Sequence, residues 1–322
     1  MNNRDLKAAL PVTLLTGFLG SGKSTLLNRI LAHPAAGRVA VVMNERGAVD
    51  IDSRLVIGAE DRLVSLSDGC VCCVVREDLT RGVGELLRAR TRWFRPLQFD
   101  RILIETSGLA APGPVVQTFL LDPTLAAATR VDGVITVVHA EKLAHQLAAH
   151  PEVRAQLAGA DAVVLHHLDA AADPAQAEAL ARAAAPLARV LPSPVEIPPL
   201  LDLRTDDPGR WSLVPTVHTI GTESLILRAA APVELDRLKV FLQYLASRKT
   251  WEIWRIKGIL RTTDTPRPVV VQAVYQVLQL GPAPEGVLSP DALVLLGRGL
   301  DAAEISRAWA LATGAPDAAR SG

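Results

Sequence analysis

Continuous apolar runs alternate with helical patterns along the first part of the chain. A run in which every residue is apolar predicts a strand that is buried on both faces, and apolar residues spaced three or four apart predict a helix. Strands are predicted at 12–16, 38–43, 63–67, 100–104, 133–138, 161–165 and 188–191. Helices are predicted at 26–31, 77–92, 112–121, from 141 onward, and at 174–185. This alternation predicts an α/β fold, a mostly parallel sheet with helices on both faces.

The pattern changes after a proline-rich stretch at 192–215, which is predicted to be a linker. Beyond it, strands are predicted at 216–227, 251–256, 269–280 and 292–296, and helices at 234–247 and 301–313. Strands that follow one another without a crossover helix favour an antiparallel sheet. The predicted domains are therefore 1–191, with the parallel sheet, and 216–314, a smaller α+β domain. Residues 315–322 are expected to be a disordered tail.

The first strand ends in a phosphate-binding motif. Residues 17–25 read Gly-Phe-Leu-Gly-Ser-Gly-Lys-Ser-Thr, which fits the P-loop pattern between a strand and a helix. Its glycines allow backbone N–H groups to surround a phosphate at the helix N-terminus. Lys23 would reach the β- and γ-phosphates, and the Ser24 hydroxyl would hold Mg²⁺. The predicted nucleotide ligands from this motif are Gly17, Gly20, Ser21, Gly22, Lys23, Ser24 and Thr25.

Composition narrows the classes of partner and compartment. The 322 residues carry 34 basic and 34 acidic side chains, so no basic excess indicates nucleic acid as a partner. No apolar run is long enough to span a membrane. The three cysteines lie together at 70–73, which indicates metal or redox chemistry in a reducing compartment and not a disulfide framework. We therefore expect a cytoplasmic protein.

Acidic and histidine side chains follow two of the predicted strands. Glu105, followed by Gly108, is placed where P-loop proteins have the acidic residue that acts on Mg²⁺ and the glycine that meets the γ-phosphate. His166-His167-Leu168-Asp169 stands where GTPases have Asn-Lys-x-Asp, so Asp169 would bind guanine and an imidazole would stack on the base. A helix cap is the alternative role for Asp169. A metal site is a weaker alternative for the two histidines.

The cysteines Cys70, Cys72 and Cys73 form the second centre. Thiolates are soft ligands that suit zinc. Because neighbouring side chains of an extended backbone point in opposite directions, binding by all three cysteines requires the loop to turn. Glu45, Asp50 or Asp52 could supply an oxygen ligand. Three inert buried cysteines are the alternative.

Taken in order, these motifs resemble the P-loop GTPases that serve metalloenzyme assembly, and among them the CobW-like metallochaperones. The matching segments are 17–25, 44–47, 69–73, 105–110 and 255–260. The resemblance implies slow GTP hydrolysis, zinc or a related metal at the three cysteines, and delivery of that metal to a client metalloprotein. Three features depart from the family pattern: His166-His167 replaces Asn-Lys, His139 replaces an aspartate, and the histidine-rich storage tract is absent.

The sequence thus predicts a GTP-dependent metal switch. Lys23, Ser24, Glu105 and Glu45 are its candidate catalytic residues, with Glu45 a weak candidate for orienting water and also a candidate zinc ligand. Two other classes stay open: a degenerate nucleotide-binding adaptor, which the histidine replacements favour, and a small-molecule kinase, for which no lid-like arginine cluster is visible. A nucleotide-dependent homodimer is a further open alternative.

Overall fold

The computed structural model describes most of the chain in two compact units. The described residues are 9–44, 53–57, 63–66, 75–91, 97–203, 223–248, 252–274, 277–283, 285–286 and 289–314. One unit comprises residues 1–182 and 188–205, and the other comprises 183–187 and 206–322. None of the helices in these ranges is long and apolar enough to cross a membrane.

In its described residues, the first unit contains an eight-stranded sheet. Its strands are β1 (Leu10–Thr16), β2 (Val39–Asn44), β3 (Ser53–Ile57), β4 (Leu63–Leu66), β5 (Arg101–Thr106), β6 (Thr129–His139), β7 (Ala162–His166) and β8 (Arg189–Pro192). They lie in the order β4-β3-β2-β5-β1-β6-β7-β8. Among the described strands, β3 runs antiparallel to both of its neighbours, β2 and β4, and the other neighbouring pairs run parallel. The predicted fold class, a mostly parallel sheet of the P-loop type, is confirmed.

Helices connect these strands, as crossovers between parallel strands require. They are α1 (Lys23–Ala32), α2 (Val75–Arg90), α3 (Pro112–Leu121), α4 (Pro123–Ala128), α5 (Leu143–Ala149), α6 (Pro151–Ala158) and α7 (Pro174–Ala184). In α1 the buried residues Leu26, Leu27 and Ile30 pack against apolar side chains of the central strands. The sequence analysis missed α4, which begins where the Asp122 carboxylate accepts from the N–H groups of Thr124 and Leu125.

The start of the predicted linker belongs to the core of the first unit. Five of its apolar side chains are buried in one core cluster with β1 and α1: Val195, Ile197, Leu200, Leu201 and Leu203. Arg29 and Arg101 donate hydrogen bonds to the carbonyls of Val195 and Leu201. The proline-rich segment at 195–203 is therefore irregular, but its apolar side chains pack in the core. Residues 204–215 lie outside the described residues.

The second unit has a five-stranded antiparallel sheet, confirming the predicted α+β class. Its elements are β9 (Glu223–Arg228), α8 (Leu235–Ser247), β10 (Glu252–Leu260), β11 (Val269–Val274), β12 (Val277–Pro282), β13 (Ala292–Arg298) and α9 (Ala302–Thr313). The strand order is β12-β11-β10-β13-β9. Side chains of α8 and α9, including Phe241 and Trp309, share one core with the sheet.

One strand prediction in this unit needs correction. The single strand predicted at 269–280 is a hairpin of β11 and β12, in which Val274 pairs with Val277. Because no glycine, proline, asparagine or aspartate occurs at 269–280, a turn could not be predicted there from the sequence. The strand predicted at 216–227 is described only from Glu223 onward, as β9.

Candidate functional site

The loop after β1 has the compact backbone of a phosphate-binding loop. Gly17, Gly20 and Gly22 have φ angles of 143°, 70° and 97°, a region that side-chain-bearing residues rarely adopt. A Cβ on Gly17 would lie 2.2 Å from the Val137 carbonyl oxygen of β6. The loop closes through the Ser21 N–H, which donates to the Phe18 carbonyl at 3.2 Å. These constraints explain why glycine is needed at positions 17 and 22.

The lysine of the motif lies over this loop. Lys23 Nζ donates to the carbonyl oxygens of Gly17 at 2.9 Å and Phe18 at 3.3 Å. Lys23 also begins α1, whose first turn contains no acidic side chain. The positive end of the helix dipole and the ammonium group therefore act on the same space, and both favour an anion there.

Two oxygen groups that could hold a divalent cation meet beside the loop. The Ser24 hydroxyl of α1 donates to Glu105 Oε1 of β5 at 3.3 Å. Glu105 is only 2% exposed, while Ser24 is solvent-exposed. The Thr106 hydroxyl donates to Thr16 Oγ1 at 2.8 Å and links the ends of β5 and β1. A hydroxyl and a carboxylate are hard oxygen ligands, and this pair fits Mg²⁺.

The segment after β5 packs directly on the loop. A Cβ on Gly108 would lie 2.6 Å from Leu19 Cδ2 and 2.9 Å from the Leu19 nitrogen. From α6, Gln156 Nε2 donates to the carbonyls of Gly108 at 3.0 Å and Ala110 at 3.1 Å. Gln156 is not among the site residues predicted from the sequence. Its only sequence signal is an amide on the helix face that carries the buried residues Val153 and Leu157.

Three histidines meet at the ends of β6 and β7. His139 and His166 are paired in the register of these parallel strands. The rings of His139 and His167 stack with centroids 4.6 Å apart and planes 24° from parallel, and the His166 ring is edge-on to His167 at 6.2 Å. His167 has a φ of 55°, unusual for a residue other than glycine. The site therefore contains a stacked imidazole pair where GTPases carry a lysine.

Two of these imidazoles favour the neutral form. Burial lowers the pKa of His166, and the nearby His167, Arg29 and His139 lower it further, while a backbone hydrogen bond with Ser21 acts in the opposite direction. Burial also lowers the pKa of His139, with further contributions from His167 and Lys142 that Glu141 opposes. His166 touches the phosphate loop, since a Cβ on Gly22 would lie 2.2 Å from its Nδ1.

Asp169 is exposed in the turn that follows His167. The alternative role of Asp169 as a helix cap is not borne out, because Asp173 takes it: the Gln176 N–H donates to Asp173 Oδ1 at 2.9 Å beside the start of α7. Asp169 is therefore not the cap of α7, and it lies in the turn that follows the histidines at the end of β7.

The predicted zinc ligands lie outside the described residues. They are the cysteines Cys70, Cys72 and Cys73 and the candidate oxygen ligands Glu45, Asp50 and Asp52. Among the described residues, no group of three histidine, cysteine, aspartate or glutamate side chains is arranged to hold a metal ion. The histidines at 139, 166 and 167 are therefore not arranged to hold a metal ion.

Comparison with known proteins gives matches over both units. Residues 11–192 match the family described as CobW/HypB/UreG, nucleotide-binding domain, and residues 222–313 match the cobalamin synthesis protein cobW C-terminal domain. The zinc chaperone YjiA of Escherichia coli is 30% identical over 313 residues, covering 94% of this chain and 98% of the relative. The zinc chaperone CobW of Pseudomonas aeruginosa is 40% identical over 221 residues, covering 59% of this chain and 56% of the relative.

A solved structure matches the whole fold. The crystal structure of the zinc-bound YjiA GTPase from E. coli superposes with a TM-score of 0.72 at 24% identity, covering 97% of this chain and 99% of that one. At this identity the likeness establishes the fold.

Proposed function

Since the chain belongs to the CobW/HypB/UreG family of nucleotide-binding proteins, we propose that it is a GTP-binding metallochaperone, which hydrolyses GTP slowly and transfers zinc or a related divalent metal to a client protein. The observation that carries the proposal is the Ser24–Glu105 pair beside a complete phosphate loop. Relatives named as zinc chaperones support the choice of metal. A relative named zinc-regulated GTPase metalloprotein activator supports both the GTPase activity and a client metalloprotein.

The residues at the phosphate end of the site bind and orient the phosphates of the nucleotide. Lys23 moves from the loop carbonyls to the β- and γ-phosphates, and the loop N–H groups donate hydrogen bonds to the phosphate oxygens. Ser24 and Glu105 would hold Mg²⁺, which neutralises charge on the phosphates when bound. The N–H of Gly108 meets the γ-phosphate. We expect slow hydrolysis until a partner completes the site, with Glu45 as the candidate for orienting the water.

The base end selects the nucleotide. Asp169 accepts from the N–H and exocyclic amine of guanine, a donor pair that adenine lacks. His167, stacked on His139, takes the place of the lysine stem against the base. His166 stands where asparagine is usual, and it packs on Gly22 of the phosphate loop. We therefore expect GTP to be preferred over ATP by a smaller factor than Asn-Lys-x-Asp would give.

The cysteines Cys70, Cys72 and Cys73, with Glu45, are the proposed zinc site. In the sequence, Glu45 follows β2 and the cysteines follow β4, and both of these strands run in the same direction as β5. Nucleotide controls metal affinity only if GTP and GDP favour different arrangements of these ligands.

The test is zinc affinity measured by competition with a chromophoric chelator, with Mg²⁺ and either GDP or a non-hydrolysable GTP analogue. We expect a several-fold difference between the two nucleotides, and we expect the Cys72→Ala variant to abolish it. Tight zinc binding that is independent of nucleotide would indicate a structural site. Weak binding with both nucleotides would contradict the metallochaperone proposal.

A nucleotide-binding adaptor without significant turnover is the second candidate. The histidines at 139, 166 and 167 favour it, because they replace residues that a GTPase of this type uses at the base. An adaptor would keep its partner binding in the Ser24→Ala variant, whereas a GTP-dependent chaperone would lose it. A pull-down of the client with both forms distinguishes the two.

A further inference from the structure

Helix α6 contacts the candidate site at several points. Its N-cap residue His150 packs its ring on Phe18 of the phosphate loop, with centroids 4.4 Å apart and planes inclined by 32°. A Cβ on Gly159, which caps its other end, would lie 2.9 Å from Pro112 Cγ at the start of α3. Between these two contacts, Gln156 reaches the segment that follows β5. One short helix thus contacts both the phosphate loop and the segment expected to sense the γ-phosphate.

Gln156 uses both N–H groups of its side chain to bind the segment that follows β5. The residue is 1% exposed, and its Nε2 donates to the carbonyl oxygens of Gly108 and Ala110. A neutral amide nitrogen has two N–H donors, so both are used. The backbone of Gln156 is also held, because the Thr136 hydroxyl of β6 donates to its carbonyl at 2.9 Å. The helix is therefore fixed to the sheet, and the segment is fixed to the helix.

We propose that Gln156 is a positioning residue, which holds the Gly108–Ala110 segment against the phosphate loop in the conformation that receives the γ-phosphate. The inference rests on the proposed function. Two peptide carbonyls held by one buried amide fix the backbone on the far side of Gly108. The near side already lies against Leu19, where a Cβ on Gly108 would approach the Leu19 nitrogen to 2.9 Å. Gly108 is thereby held between the two.

The contacts of Gln156 should therefore affect the affinity for a triphosphate and not the affinity for a diphosphate. A diphosphate needs the loop and Lys23 but not the Gly108 N–H, so its affinity does not depend on the segment. A triphosphate binds more tightly when the Gly108 N–H is already in the position that receives the γ-phosphate. If the Gly108–Ala110 segment held that position only part of the time, the apparent affinity would fall in proportion to that fraction.

Two substitutions remove the donors in different ways. Gln156→Glu keeps the shape but replaces the donors with acceptor oxygens that repel the carbonyls of Gly108 and Ala110. Gln156→Met keeps the volume without charge or donors, and it tests the same point where the glutamate variant does not fold. Thr136→Val is the matched control, because it removes a buried hydrogen bond to the same residue and leaves both Nε2 contacts intact.

The experiment measures the affinity of the full chain for fluorescent GDP and for a fluorescent non-hydrolysable GTP analogue with Mg²⁺, together with thermal unfolding. We expect both Gln156 variants to weaken the GTP analogue about tenfold relative to GDP. Thr136→Val should lower the unfolding temperature and keep the affinity ratio of the wild type.

Three outcomes would overturn the inference or its premise. An unchanged ratio in both Gln156 variants contradicts the positioning role. An equal loss for both nucleotides that follows the loss of thermal stability, as in Thr136→Val, indicates a structural role only. A wild-type chain that binds neither nucleotide contradicts the proposed function itself, and the two failures are thus distinguishable.

Discussion

The two ends of the candidate site are built by different means. At the phosphate end, most of the contacts come from backbone: glycines with positive φ angles, loop carbonyls that hold Lys23, and carbonyls held by Gln156. At the base end the contacts come from side chains, with stacked and edge-on imidazoles at the ends of β6 and β7. A phosphate is recognised by charge and by N–H groups that any sequence has, whereas a base is recognised by the particular side chains against it.

The replacements noted in the sequence analysis, His166-His167 for Asn-Lys and His139 for an aspartate, lie at the base end. Under the proposed function, we expect substitutions at the base end to change nucleotide selectivity more than they change phosphate binding. The two ends nevertheless meet at one contact, His166 against Gly22. We expect this contact to transmit changes from the base end to the phosphate end, and the predictions below test it first.

The largest effect is expected from Gly22→Ala, compared with Gly20→Ala. Both glycines have positive φ angles, of 97° and 70°, so alanine is strained at either position. Strain alone costs about 1–2 kcal/mol, which corresponds to about tenfold in nucleotide affinity. At position 22 the new methyl group also meets His166 Nδ1 at 2.2 Å, whereas nothing lies within 4 Å at position 20. Gly22→Ala should therefore weaken binding by at least a further tenfold or so.

The second half of this test removes the His166 ring, which the new methyl group at position 22 would meet. In the double variant Gly22→Ala/His166→Ala, the affinity should return to the level of Gly20→Ala, as measured by titration of fluorescent GDP. Equal affinities for the two single variants would show that the contact between His166 and the loop has no energetic weight.

How much of this site the sequence predicts depends on how far apart the partners of each interaction lie along the chain. The phosphate loop and its flanking elements could be predicted because strand, glycines, lysine and helix lie within 21 residues of one another, at 12–32. Glu105 was found by its position after a buried strand. The partners that come together only through the sheet order were not found: Gln156 lies 48 residues from Gly108, and the stack of His139 on His167 depends on the pairing of β6 with β7.

The same limit applies to the core. The apolar residues at 195–203 could not be distinguished from linker, because a segment without period 2 or 3.6 gives no sign of burial. The zinc ligands at 70–73 stay a prediction, since they lie outside the described residues.

An intermediate effect is expected when the base end is given the side chains that GTPases use. The double variant His166→Asn/His167→Lys restores Asn-Lys-x-Asp around Asp169. A lysine stem covers the base and asparagine bonds to the loop without a bulky ring, so we expect the preference for GTP over ATP to rise about tenfold. Competition of each nucleotide with fluorescent GDP measures the ratio. An unchanged ratio would mean that these positions do not contact the base.

The smallest effect is a dependence of stability on pH that comes from the base end. Burial lowers the pKa values of His139 and His166 below the ordinary value of 6.5. The unfolded chain therefore takes up protons first as the pH falls, so the stability that these neutral imidazoles contribute is present above pH 6.5 and is lost on acidification through their folded pKa values. Among the neighbouring groups, His167, Arg29, His139 and Lys142 lower these pKa values, whereas Glu141 and the backbone hydrogen bond with Ser21 raise them.

Thermal unfolding between pH 8 and pH 5.5 should accordingly show a midpoint that decreases by a few degrees toward acid, more than the His139→Asn/His166→Asn double variant shows. His145→Asn, at an exposed position on α5, controls for the substitution itself. A double variant with the same acid slope as the wild type would contradict the assignment. A flattened slope would show that the base end, unlike the backbone-built phosphate end, makes the stability of this unit depend on the protonation of its side chains.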